Sequence, residues 1–316
     1  MSFQSGPVVK SRSGGIDALR VLAAGMVFLY HAQGTGVSIP LVTTAGREGV
    51  ILFFVISAYV LYRPMADAPP DLRHYAIRRF TRIYPAYVAA LLGCAILTGL
   101  PVTPSYFVFG QIVDLSVPSV LPASWTLQVE IAFYLLLPFV AALIRRQRYR
   151  VPILLMASAY LYVAVALIAP AAIKTGPWQL LWFAWVFPLG MAAALVRRPT
   201  GWLLPAGVIV LLIGLALAWD QPLDLIVAVA GVLLVLGIRD LAVPRALATV
   251  GSALSYPFYL WHAAILTLVP SFVIALVASL AISAISWLVI ERPAMSFGSA
   301  WAMRLPKAIL SSNGTK

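Results

Sequence analysis

The sequence is poor in cysteine, in acid and in charge of either sign. Cys94 is the single cysteine of 316 residues, so a disulfide-stapled secreted fold is excluded. Charged residues make up 10% of the chain, well below the roughly 25% of an average soluble domain. Acids are the scarcer sign, with 10 Asp and Glu against 22 Lys and Arg and a net charge of +12. Apolar residues fill the chain instead: 62% are hydrophobic and 11% aromatic, and the mean hydropathy is +0.96. That excludes disorder and collagen-like repeats and gives the composition of a membrane protein.

Apolar runs long enough to cross a hydrocarbon core of about 30 Å predict an all-α polytopic membrane protein of about ten transmembrane helices. They lie near 16–36, 46–62, 83–100, 125–144, 151–170, 179–196, 202–219, 223–238, 253–269 and 271–290. A short turn, Trp219-Asp220-Gln221-Pro222, separates the seventh from the eighth. Residues 1–15 read as a polar N-terminal segment without a cleavable signal, so the first span is expected to direct insertion. Residues 16–293 form the membrane domain and 294–316 a tail. With both termini in the cytoplasm, nineteen of the 22 basic residues fall in inner loops and tails; only Arg47 and Lys174 fall outside, and Arg20 lies within the first span. The basic excess is therefore topological and requires no nucleic acid. The inner stretch 63–82 mixes Leu72, Tyr75, Ile77 and Phe80 with Arg73, Arg78, Arg79 and Arg82 and is expected to lie on the inner interface. Trp178, Trp182, Trp185, Trp202 and Trp219 are read as interface anchors and packing.

Ionisable groups inside spans cost at least a few kcal/mol unless they are paired or face a cavity. Four stand out: Arg20 and His31 in the first span, Glu130 in the fourth and His262 in the ninth. Each has a plainer reading. Arg20 can snorkel to headgroups, and a histidine can be a satisfied interior group. Asp17, three residues before Arg20, can pair with it. His31 sits near the outer end of its span, and Glu130 lies little more than one turn into the fourth, so the two are expected in one layer, with the carboxylate raising the basicity of the imidazole. Arg20 and His31 are eleven residues apart, about 16 Å along nearly one helix face. A cation at one end and a base at the other suit a long donor with phosphates and a distant acyl group, such as acyl-coenzyme A. Arg20 and the cluster Arg78, Arg79 and Arg82 would meet its phosphates. No metal site is read.

The chain resembles acyltransferase family 3, the integral-membrane O-acyltransferases. The likeness rests on GIDALRVLAAGMVFLYH (15–31), GVILFFVISAYVL (49–61), RRFTRIYPAY (78–87), SWTLQVEIAFYLLLP (124–138), SALSYPFYLWH (252–262) and SWLVIERP (286–293), in that order. The resemblance implies that His31 is the essential histidine, Arg20 the arginine of the same motif and Glu130 the acid following Ser-Trp-x-Leu. It also matches Phe53, Phe54 and Ser57 to a Phe-Phe-x-x-Ser element, with Ala58 where glycine is usual. Ser255, Tyr256, Tyr259 and His262 match a Ser-Tyr-x-x-Tyr-Leu-x-His element, and Glu291, Arg292 and Pro293 the closing motif.

The expected function is transfer of an acyl group, acetyl by default, from cytoplasmic acyl-CoA to a hydroxyl of a glycan, glycosylated compound or small molecule at the inner membrane. His31 serves as base and Glu130 orients it. Arg20, Arg78, Arg79, Arg82, Ser255 and Tyr256 hold the donor, while Phe53, Phe54, Ser57, Trp125, Tyr259 and His262 line the pocket. Direct transfer is favoured over an acyl-enzyme, because Cys94 lacks an activating neighbour and no base can be placed beside Ser57. A relay of the acyl group to a separate partner is a second enzymatic version. A proton-coupled transporter or flippase using the same buried groups is the rival from another class; it would move substrate without consuming acyl-CoA.

Overall fold

The computed structural model describes residues 13–37, 46–110, 120–168, 179–216 and 222–304. Trp178, Trp219 and Lys174, and most of the two terminal segments, lie outside the described residues. All regular structure among the described residues is helical: α1 (Gly14–His31), α2 (Gly49–Tyr62), α3 (Leu72–Thr98), α4 (Ser124–Arg145), α5 (Arg150–Ile168), α6 (Gln179–Phe183), α7 (Val186–Leu195), α8 (Leu203–Ala216), α9 (Pro222–Ile238), α10 (Arg245–Leu268), α11 (Phe272–Ser286) and α12 (Arg292–Arg304). Five stretches are long and apolar enough to cross a membrane: α1 with the 3-10 turn that follows it, α3, α4, α5, and α11 running on through α12. Shorter apolar helices cover α2, α6 with α7, α8 and α9. Among the described residues each of the ten apolar runs overlaps helix, the sixth being divided between two. The faces of α4, α5 and α11 that point away from the bundle carry Leu135, Phe139, Met156, Leu167, Val273 and Val277, all exposed. Such a surface is stable in lipid and not in water.

Three departures from the linear reading have local causes. The sixth run is broken into α6 and α7 around Ala184 and Trp185, and Trp182 and Trp185 pack inside the bundle while Trp202 is exposed. The basic stretch after Asp71 is not a separate interfacial helix. Asp71 caps α3 by accepting from the Arg73 and His74 backbone N–H groups, and the helix then runs unbroken through Pro85 to Thr98. At the far end, helix continues beyond Pro293. A π-helical turn at Trp287–Glu291, with the Arg292 N–H bonded back to the Trp287 carbonyl, passes into α12, and this irregular turn is where Pro293, which has no N–H to give, is accommodated. Gly298 of α12 packs on the Thr81 side chain of α3.

α1 packs against α2, α9 and α10, so a line of residues along α1 meets the bundle interior. Close approach is permitted by glycine. A Cβ on Gly251 of α10 would lie 2.0 Å from the Asp17 carbonyl oxygen of α1, so the two backbones touch there. α3 and α4 are tied at Pro138, whose missing N–H frees the Tyr134 carbonyl four residues earlier. The Tyr75 hydroxyl, 3.0 Å away, donates to that carbonyl.

Candidate active site

At the C-terminal end of α1, His31 folds its ring back so that Nδ1 lies 2.9 Å from the Val27 carbonyl. His262, on α10, is 1% exposed, and its Nδ1 sits 2.8 Å from the Tyr259 carbonyl and 3.1 Å from that of Phe258. Its Nε2 is 3.1 Å from His31 Nδ1. Carbonyl oxygens only accept, so His262 Nδ1 carries the proton and Nε2 presents a lone pair. His31 Nδ1 then also carries a proton, shared between Val27 O and His262 Nε2, and His31 Nε2 is left as an unprotonated acceptor. Both rings line a cavity of about 260 Å3 whose walls include Tyr30, Trp125, Trp182 and Phe183. Trp182 donates its Nε1–H to buried Asp224 at 3.3 Å.

Further along the bundle, Ser57 of α2 donates its hydroxyl to Glu130 Oε1 of α4, with the Tyr134 hydroxyl beside both. They line a narrow chamber of about 90 Å3 together with Phe53, Phe54, Arg20, Arg79, Arg82, Ser255 and Tyr256. Glu130 and His31, expected in one layer, have different partners: among the described residues Glu130 bonds Ser57, and His31 bonds Val27 and His262. Helical rise explains the separation, since Glu130 is five residues beyond Trp125, about 7.5 Å further from the His31 end. The acidic group beside Ser57, which the sequence does not place, is Glu130. Tyr259 and Val50 line both this chamber and the His31 cavity. The Tyr259 hydroxyl is 2.7 Å from Thr126 Oγ1, and its ring meets Phe53 edge-on at 5.6 Å.

Towards the N-terminal end of α1 the narrow chamber gives onto a vestibule of about 920 Å3. Arg20, Arg79 and Arg82 line both, and Arg63, Arg239 and Arg245 line the vestibule alone. Arg20 pairs with buried Asp17, as the spacing predicted. Arg79 lies over the Tyr134 ring at 6.0 Å. Arg82 reaches the Ser252 carbonyl at 3.5 Å. Arg78, one residue from Arg79 and therefore about 100° round the helix, is exposed and lines none of these cavities. Ser255 and Tyr256 are in place, but the Ser255 hydroxyl donates back to the Gly251 carbonyl of its own helix at 2.6 Å, and the Tyr256 hydroxyl ties α10 to α3 through the Ile83 carbonyl at 3.0 Å. Among the described residues no group of three His, Cys, Asp or Glu side chains could hold a metal ion.

In sequence Arg63, Arg239 and Arg245 are topological charges only, and Tyr30, Thr126 and Asp224 do not stand out. The arginines carried no local signal to separate them from ordinary inner-loop cations, and the others are legible only once helices are paired.

Chemically, the arrangement is a cationic vestibule suited to phosphates, a narrow passage and a chamber holding an unprotonated imidazole nitrogen. A family model described as an acyltransferase domain matches residues 13–299. Among curated proteins the chain is 30% identical to Acyltransferase MdmB of Streptomyces mycarofaciens, over 58% of this chain and 57% of that protein. The chain thus spans little more than half the length of that relative. No solved structure matches.

Proposed function

The chain belongs to acyltransferase family 3, and from that premise we propose that it is a multi-pass membrane enzyme that transfers an acyl group from cytoplasmic acyl-CoA to a hydroxyl. The observation carrying this reading is the order of the three cavities, arginine vestibule, narrow chamber and His31 chamber, joined by shared wall residues. The span between the Arg20 and His31 backbones, eleven residues at 1.5 Å each or about 16 Å, suits the extended arm of coenzyme A. Its phosphates lie on the vestibule arginines, where charge-assisted bonds hold them. The arm threads past Ser57 and Glu130, and the thioester emerges beside His31.

An acceptor hydroxyl entering the outer chamber gives its proton to His31 Nε2, and its oxygen attacks the thioester carbonyl. The carbon–sulfur bond breaks, and the departing thiolate recovers the proton from His31. The aromatic walls of that chamber suit a glycan, glycosylated compound or small molecule. Acetyl is the default acyl group because the passage is narrow. We place about ten helices across the inner membrane with both termini in the cytoplasm, which puts the vestibule on the side where acyl-CoA is made.

The Ser57–Glu130 hydrogen bond favours a second reading, in which Ser57 takes the acyl group first, with Glu130 as base, and then passes it to the acceptor. Purified protein in nanodiscs, given labelled acetyl-CoA, tests the proposal. Saturable binding lost when Arg79 and Arg82 are replaced supports the donor site. Absence of binding to any acyl-CoA refutes it.

A further inference from the structure

We propose that His31 and His262 act as one base sharing a single transferred proton, an inference that rests on the acyl-transfer reading above. A lone imidazole that accepts a proton becomes a cation; His31 is exposed at the chamber wall and His262 behind it is buried, and the new charge is spread when a neighbouring group shares the proton. The usual partner is a carboxylate behind the ring. Among the described residues none is hydrogen-bonded to either histidine; the groups behind them are the backbone carbonyls of Val27, Phe258 and Tyr259 and the two rings themselves.

The geometry supplies the alternative. Because both Phe258 O and Tyr259 O face His262 Nδ1, the neutral ring has its free lone pair on Nε2, 3.1 Å from the proton on His31 Nδ1. When the acceptor hydroxyl gives its proton to His31 Nε2, the Nδ1 proton of His31 moves to His262 Nε2. The net result is neutral His31, bearing its proton on Nε2, and a His262 cation whose Nδ1–H already points at two carbonyls. No rotation of either ring is needed. As the carbon–sulfur bond breaks, the sequence reverses: His262 Nε2–H returns to His31 Nδ1, and His31 Nε2–H goes to the thiolate sulfur. Atoms and charge balance, and both rings end as they began. Phe28, whose ring centroid lies 6.3 Å from that of His262, and Phe258, stacked on His262 at 6.0 Å, cover the inner ring of the relay.

His31 touches the substrate, so it is the catalytic residue; His262 acts through it. The test separates a proton-carrying role from a merely structural one. Single-turnover transfer is measured in mixtures of light and heavy water for the intact chain and for His262→Gln, whose amide oxygen can accept from His31 but cannot carry a proton onward. The expected result is a curved dependence on deuterium fraction for the wild type, two protons moving together, and a straight line for His262→Gln with a rate lower by about 10²-fold. Retention of curvature in the variant overturns the proposal, as does a rate within about threefold of wild type. A second measurement stands independent of the variant's folding: nitrogen chemical shifts of 15N-histidine-labelled wild-type protein should show His262 protonated on Nδ1 and bare on Nε2. The opposite tautomer overturns the relay. His31→Ala keeps the two levels apart. If that variant still transfers acyl groups, the reading of His31 as base fails; if it is inactive while His262→Gln is unaffected, only the shared proton fails.

Discussion

The Ser57 hydroxyl donates to the Glu130 carboxylate, joining α2 to α4 across 73 positions of sequence. That contact fixes where the carboxylate acts. It belongs to the narrow chamber, the path proposed for the donor, and not to the histidine pair at the far end.

Replacing Glu130 with Ala takes from the Ser57 hydroxyl its carboxylate acceptor and removes the one acid that lines that chamber among the described residues. Turnover should fall by about 10²-fold or more, while Glu130→Gln, which keeps an acceptor without the charge, should be less impaired. Intact-mass analysis of enzyme quenched after mixing with acetyl-CoA distinguishes the two routes. Unmodified protein is expected for direct transfer, and an acetyl group on the Ser57 peptide establishes the acyl-enzyme.

Arg79 and Arg82 line both the vestibule and the narrow chamber, whereas Arg78 faces away. Loss of a charge-assisted hydrogen bond costs about 1.5–3 kcal/mol, so Arg79→Ala and Arg82→Ala should each raise KM for acyl-CoA by at least about tenfold. Arg78→Ala should leave it unchanged. Steady-state kinetics on the three variants check this, and added salt should weaken donor binding in the wild type.

Gly251 allows α10 to touch the α1 backbone at Asp17, one turn from Arg20. A methyl group there would meet the Asp17 carbonyl oxygen at 2.0 Å, so Gly251→Ala must push the helices apart. The expected destabilisation is about 1–3 kcal/mol, read as a lower melting temperature in detergent. An unchanged melting temperature would show that the two helices are not in contact.

Asp71 caps α3, and hydrogen bonds from the His74 backbone and side chain, then that of Arg73, hold its carboxyl below the ordinary carboxylate value. The folded pKa is depressed, so its contribution is fully present above the unfolded value of about 4 and is lost as pH falls through the folded one. Stability measured from pH 6 downward should therefore decline more steeply below about pH 4 in the wild type than in Asp71→Ala. Identical acid limbs would contradict the cap.

The helices were legible because apolar runs of membrane-spanning length carry a strong signal, and the Asp17–Arg20 pair because i,i+3 neighbours need no tertiary knowledge. The partner of Glu130 was not. Depth along a span was read to within a turn or two, and that error decides whether a carboxylate meets His31 or Ser57. Arg78 and Arg79 show the same limit from the other side: adjacent cations look alike in sequence, and 100° of helix separates a cavity wall from the exposed surface. The run into α12 was hidden because Glu291-Arg292-Pro293 reads as a stop, although proline at the start of a helical segment is compatible with continuation.

The central claim is that His31 is the base that acts on the acceptor hydroxyl at the end of the donor path. Its most direct test compares wild type and His31→Ala, both in nanodiscs, for acetyl-CoA binding and for release of free coenzyme A in the presence of a hydroxylated acceptor. The account predicts unchanged acetyl-CoA affinity with turnover reduced by roughly 10²–10⁴-fold. Turnover in His31→Ala close to that of the wild type would contradict it.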